Sequence, residues 1–151
     1  GIESGFMSTI HAYTNDQNTL DGSHKKGIKS RRGRTAASNI IPTSTGAAKS
    51  IGVVIPTLSG KMDCVAYRVP VIDGSMVDVT LTLNRATSVD EINDLFRNNM
   101  NEVLDFTVDP IVSSDVIGST CGALVDGLST KVLDVNKKQV EWVSWYDNVY
   151  G

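Results

Sequence analysis

A chain of 151 residues with 40% hydrophobic and 21% charged residues has the composition of an ordinary globular domain, which excludes disordered, collagen-like and fibrous classes. That length predicts one domain able to bury about two-thirds of its unfolded surface, so a core needs neither a structural metal nor a disulfide. A net charge of −3 and a pI near 5.3 argue against nucleic acid as the primary partner, and the longest apolar stretches, such as Ile51 to Pro56, are too short to cross a bilayer.

Gly5 to Tyr13 reads as a strand whose apolar residues do not alternate cleanly, the pattern of a central strand covered on both faces. Asn15 to Gly33 is polar and without period, a long connection of the kind compact domains keep for binding. Ala47, Ile51, Val54 and Ile55 then share one helical face, with Thr45 as N-cap and Pro56 at the end. Val65 to Val69 is a short strand. Ser75 to Leu83 alternates, with Val77, Val79, Leu81 and Leu83 on one side. Ser88 and Glu91 form a capping box before a helix whose Val89, Ile92, Leu95, Phe96, Met100 and Val103 follow three- and four-residue steps. Lys131 to Val135 and Val140 to Tyr146 flank Asn136-Lys137-Lys138-Gln139 as a hairpin. The class is α+β, without internal repeats.

The residues able to do chemistry cluster between His11 and Arg68. His11 is one of two histidines, and imidazole can accept and return a proton near neutral pH; a buried histidine satisfied by its neighbours is the alternative reading. Thr14 follows three residues on, where the chain leaves the strand, so a bend must come between them if both serve one pocket. Lys25, Lys26, Lys29, Arg31, Arg32 and Arg34 crowd into ten positions. Most of these read as a solvated basic loop, with some arginines free to meet a phosphate or a neighbouring subunit. Thr45 and Gly46 open a helix whose unpaired N–H groups suit an anion. Arg68, flanked by Val65, Ala66, Val69 and Pro70, needs an anionic partner because burying a bare guanidinium is costly. Gly1 to Ile10 has no basic segment before an apolar run, so no secretion signal is expected. Cys64 and Cys121 lack metal-site spacing and read as reduced, packed thiols of a cytoplasmic protein, with no metal expected.

Gly1-Ile-Glu-Ser-Gly5, His11-Ala-Tyr-Thr-Asn-Asp-Gln17, Asn39-Ile-Ile-Pro-Thr-Ser-Thr-Gly-Ala-Ala-Lys49, Tyr67-Arg-Val-Pro70, Asp126-Gly-Leu-Ser-Thr130 and Trp142-Val-Ser-Trp-Tyr-Asp-Asn148 occur in the order and spacing of the catalytic domain of phosphorylating glyceraldehyde-3-phosphate dehydrogenases, which the chain closely resembles. The resemblance implies a large mixed, mostly antiparallel sheet with helices on one face. It implies a glycolytic enzyme that oxidises and phosphorylates glyceraldehyde 3-phosphate to 1,3-bisphosphoglycerate through a cysteine thioester. His11 would be the catalytic histidine, Thr14 and Arg68 the ligands of the substrate phosphate, and Arg34, Thr45 and Gly46 those of inorganic phosphate. Asn148 would hold the carboxamide of NAD. A homotetramer in the cytoplasm is implied as well, the loop from Tyr13 to about Ile40 packing near a neighbouring subunit's cofactor.

Residues 1–151 would then be an incomplete catalytic domain, inactive alone, because the family's Rossmann domain, nucleophile motif and carboxy-terminal helix have no counterpart in the chain. Cys64 and Cys121 stand where the family commonly has small residues and are not expected to act as the nucleophile; Val149 stands where it usually has Glu. Erythrose-4-phosphate dehydrogenase, which shares the fold, is a second reading. A separated domain binding nucleic acid or another polyanion through the basic loop is a third.

Overall fold

In the computed structural model, residues 1–27 and 29–150 are described, so Ile28 of the long loop and Gly151 lie outside the description. Seven strands form one sheet: β1 (Ile2–Ala12), β2 (Ile41–Thr43), β3 (Met62–Val69), β4 (Ser75–Leu83), β5 (Leu104–Thr107), β6 (Ala123–Leu133) and β7 (Asn136–Tyr146). Their order is β2-β3-β1-β4-β7-β6-β5, with β1/β3 and β5/β6 parallel and the other four pairs antiparallel. Two helices, α1 (Ala47–Val54) and α2 (Val89–Arg97), complete the α+β fold.

Register sorts the side chains between two faces. Met7 opposite Val79, Gly5 opposite Leu81, and Val79 and Leu81 opposite Trp142 and Val140 set one apolar face. On it α2 lays Ile92 against Leu81 and Val140, and Phe96 against the Trp142 ring at 5.3 Å between centroids. Burying side chains of this size contributes about 1.5–3 kcal/mol each. The Ser88 hydroxyl accepts from the Glu91 N–H as the capping box predicts. The helix nevertheless stops at Arg97, and Leu95, Met100 and Val103 are exposed, so the apolar stripe is longer than the helix that carries it. α1 lies over β3 on the same side of the sheet, and none of its residues is buried.

The expectation that β1 is covered on both faces is corrected. The strand is interior, between β3 and β4, but Phe6 on the face away from the helices is 69% exposed. Non-alternating apolarity there reflects a face left bare by the described residues. The hairpin turn is corrected too: Leu133 pairs with Asn136, so Asp134 and Val135 make the turn and Asn136 to Gln139 belong to β7. Ladder pairing with β4 as far as Gln139 outweighs the polar character of that segment.

The link between β3 and β4 turns at Gly74, where φ is +75° and an added Cβ would stand 1.9 Å from the Ser113 carbonyl oxygen. Gly74→Ala therefore combines a left-handed backbone with a backbone clash and is expected to cost about 2–4 kcal/mol. An unchanged denaturant midpoint would show that this turn relaxes freely.

The described residues between 13 and 40 form a doubled-back loop rather than an extended one. Asn18 N–H donates to the Arg32 carbonyl, Ala36 N–H to that of Asn18, and Gly22 N–H to that of Gly33. Gly33 is buried because a Cβ there would come 2.5 Å from the Gly22 oxygen. These ties give the polar loop a defined path towards the sheet.

Candidate functional site

His11 lies next to the end of β1 and is paired in register with Arg68 of parallel β3, so the sheet brings the imidazole and a guanidinium together. His11 Nδ1 lies 2.7 Å from the Ala12 carbonyl oxygen and 2.5 Å from Arg68 Nη1, which donates to the same oxygen at 3.1 Å. In the tautomer that donates Nδ1–H to Ala12, Nε2 would keep its lone pair for a solute. Burial lowers the pKa of His11 below its ordinary 6.5 against the raising effect of the Ala12 bond, and the Arg68 and Arg32 charges lower it further, so the ring is neutral at pH 7. Tyr146 of β7 meets the ring edge-on, with centroids 6.1 Å apart, and burial raises its own pKa.

A cavity of about 430 Å³ joins these groups to Arg32, Thr45, Gly46 and Ala47. Arg32 is fixed from two sides: its guanidinium pairs with Asp16, and its Nε donates to the Thr43 hydroxyl at 2.9 Å. Burial alone would raise the pKa of Asp16, but the Thr14 hydroxyl and Arg32 hold it below the usual value, so it stays ionised. Arg68 has no such carboxylate. Among the described residues it forms no ion pair within 4.0 Å, and its Nε is buried without a partner. Burial and the charge of Arg32 both depress its pKa, and Arg32, unlike Arg68, already has Asp16 as its counter-charge. Gly46, rather than Thr45, is the N-cap of α1; the Thr45 hydroxyl accepts from the Ala47 N–H at 3.2 Å. The opening turn of the helix adds its positive end to the cavity wall.

The structure thus gathers His11, Arg68, Thr45 and Gly46 and leaves three expected residues elsewhere. Arg34 is exposed and pairs with Asp21 at 3.1 Å. Its place in the cavity is taken by Arg32, which the sequence reading did not single out; the nearby carboxylate of Asp16 was the available signal. A turn follows β1 at residues 14–17, closed by Gln17 N–H to the Thr14 carbonyl at 2.9 Å and Thr14 N–H to Gln17 Oε1 at 3.2 Å, so it begins at Thr14 and does not fall between His11 and Thr14. Thr14 and Asn148 line a second cavity of about 670 Å³ with Tyr13, Asn15, Gln17 and Ile72. Asp16 links the two cavities, accepting from the Thr14 hydroxyl at 2.7 Å on one oxygen and from Arg32 on the other.

Chemically, the first cavity offers a neutral base, two guanidiniums and helix N–H groups, suited to a small phosphorylated substrate whose proton is taken during reaction. It holds no thiol. Cys64 shares the face of Arg68 but stands four residues back along β3, about 13 Å away at strand rise, and burial raises its pKa. Cys121 donates to the Val103 and Ala123 carbonyls beside β6, on the far side of the sheet order.

The chain matches the family described as "Glyceraldehyde 3-phosphate dehydrogenase, C-terminal domain" over residues 1–148. Over 149 residues it is 55% identical to the glyceraldehyde-3-phosphate dehydrogenase of Clostridium pasteurianum, 54% to that of Clostridium acetobutylicum and 53% to that of Streptococcus pyogenes. Each alignment covers 98% of this chain and 44% of the relative, so the chain spans less than half the length of these relatives. A mixed seven-stranded sheet with two helices on one face, a histidine and two arginines round an anion cavity, and a match along nearly the whole chain agree: the chain belongs to the glyceraldehyde-3-phosphate dehydrogenase C-terminal-domain family.

Proposed function

We propose that the chain is the substrate- and phosphate-binding portion of a phosphorylating glyceraldehyde-3-phosphate dehydrogenase that converts glyceraldehyde 3-phosphate to 1,3-bisphosphoglycerate. The observation that carries this reading is His11, whose Nε2 has no hydrogen-bond partner among the described residues, paired in register with an Arg68 that lacks a protein carboxylate. The nucleophilic thiolate is supplied from outside residues 1–151, since Cys64 stands four residues from Arg68 along β3 and Cys121 lies beside β6. Covalent attack by such a thiol divides the oxidation into two easier steps. His11 Nε2 takes the proton from the substrate oxygen as the carbon is oxidised. Arg68 and Arg32 hold phosphate oxygens, and the first N–H groups of α1 offset the remaining negative charge. Inorganic phosphate in the same cavity then attacks the thioester, the acyl group passing to phosphate and the thiol being released.

NAD fits the second cavity through its carboxamide. Asn148 offers both a donor and an acceptor, and Gln17, in the same wall, has a buried Nε2 without a partner. When bound, the nicotinamide supplies the hydride acceptor. A homotetramer is supported by the bare sheet face bearing Phe6 and by the exposed apolar residues of α1. Cytoplasmic residence is supported by two free thiols, Cys64 and Cys121.

The test separates Arg32 from Arg34 in the complete enzyme. Losing a charged hydrogen bond of about 1.5–3 kcal/mol predicts that Arg32→Ala raises the KM for phosphate about 10- to 100-fold in phosphate-dependent NADH formation. Arg34→Ala is expected to stay within about twofold, as solvent-exposed ion pairs contribute little. The reverse pattern would return the role to Arg34, and NADH formation indifferent to phosphate would remove the phosphorylating reading.

A further inference from the structure

Asn148 lines the second cavity together with Val149, two residues after β7 ends at Tyr146, and its backbone is held by two carboxylates that the proposed reaction does not use. Asp147 is 1% exposed. Its Oδ1 accepts from the Val149 N–H at 2.6 Å and the Tyr150 N–H at 2.9 Å, and its Oδ2 from the Gly118 N–H at 2.7 Å. Asp73 Oδ1 accepts from the Asn148 N–H at 3.2 Å and from the Gly74 N–H at 2.7 Å. The N–H groups of 148, 149 and 150 are therefore all taken by these two side chains.

The other ends of the ties are anchored. Asp73 sits in the β3–β4 turn, whose Gly74 abuts Ser113, and Gly118 closes the segment that buries Val116 at 2% exposure. Neither carboxylate has a cation within 4.0 Å among the described residues; N–H donors meet both, and the Asp73 and Asp147 side chains also meet each other. The Gly118, Tyr150 and Val149 N–H groups hold the pKa of Asp147 below the usual carboxylate value, so it remains a full acceptor at neutral pH. A buried charge held by the backbone of one short segment restricts where that segment can go.

We infer that Asp147 and Asp73 are positioning residues that fix Asn148 against two separate loops and thereby set affinity and selectivity for the carboxamide end of a nicotinamide dinucleotide. The inference rests on the reading of Asn148 as the carboxamide contact. An amide recognised by two complementary bonds needs its partner held to a fraction of an ångström. The ties from Asp147 and Asp73 to the backbone of residues 148–150 hold the segment to that tolerance.

The experiment uses the complete enzyme and the variants Asn148→Ala, Asp147→Asn, Asp73→Ala and Asp73→Asn. Dissociation constants are measured by fluorescence without substrate for NAD and for its 3-acetylpyridine analogue, in which a methyl group replaces the carboxamide nitrogen. Amide exchange at residues 148–150 is followed in the cofactor-free protein. Asn148→Ala is expected to weaken NAD binding and level the preference over the analogue. Asp147→Asn and Asp73→Ala are expected to raise the NAD dissociation constant about tenfold, the effect of one misaligned hydrogen bond, and to reduce the same preference. Both should speed exchange at 148–150 and leave the KM for phosphate unchanged. Asp73→Asn, which keeps an acceptor oxygen, should restore binding. A lower melting temperature with the preference intact would make these carboxylates merely structural and overturn the inference. An Asn148→Ala enzyme with unaltered NAD binding would overturn it at its premise and show that the reading of Asn148 had failed. Should Asp147→Asn not fold, Asp73→Ala and its rescue decide the outcome.

Discussion

His11→Ala is expected to lower kcat by about 100- to 10,000-fold in the complete enzyme, the usual worth of a positioned general base. The measurement that identifies the cause is the pH profile. Burial and two neighbouring guanidiniums hold the pKa of His11 below 6.5, so the working base is already neutral at pH 7 and kcat/KM should fall only as the pH drops below that value. The variant should lose this acid limb as well as the rate. Removing the Arg68 charge takes away one of the influences that depress the histidine, so Arg68→Ala should move the limb to higher pH. A variant at position 11 with full kcat, or with the same acid limb at reduced rate, would assign the proton transfer to another group.

Arg68→Ala has its largest effect on substrate choice. Its guanidinium is half-buried, has no protein carboxylate and carries an unpartnered Nε, so the natural complement is an anion from the ligand. Loss of that charge-assisted contact, about 1.5–3 kcal/mol, predicts a 10- to 100-fold fall in kcat/KM for the phosphorylated aldehyde. Unphosphorylated glyceraldehyde should change by less than about fivefold when both are measured at pH 8, where the shift of His11 has little influence. Equal losses on both aldehydes would mean that Arg68 acts through the Ala12 carbonyl and the histidine rather than by holding phosphate.

The parts of the fold that sequence could reveal are those whose cause is local. β4 alternates along nine residues, and the Ser88–Glu91 cap announces α2, because each pattern is written within one or two turns of chain. β2 and β5 carry three and four residues and had no such pattern to offer. Ile41 to Thr43 become a strand because β3 presents Arg68, Tyr67 and Ala66 to pair with them, a partner distant in sequence. The site divides in the same way. His11 and Arg68 were legible as chemistry-bearing residues on strands. That Arg32 lines the cavity and Arg34 does not depends on Asp16 and Thr43 standing beside one and Asp21 beside the other, contacts made across segments. Thr14 lines the cavity of Asn148 and opens the turn to Gln17, a placement set by contacts with segments distant in sequence.

His11 and Tyr146 touch across a sequence separation of 135 positions (146 − 11), and Arg32, Thr45 and Arg68 reach the same cavity from three further segments. Local events such as the β6–β7 hairpin can form early, whereas the cavity exists only after the parallel β1–β3 pair has closed its long connection and β7 has docked on β4. An anion lodged there has nothing to grip in a half-assembled chain. It therefore acts as a brake on unfolding and gives little help to the first steps of folding, lengthening the lifetime of the native state in inverse proportion to the fraction of sites left empty.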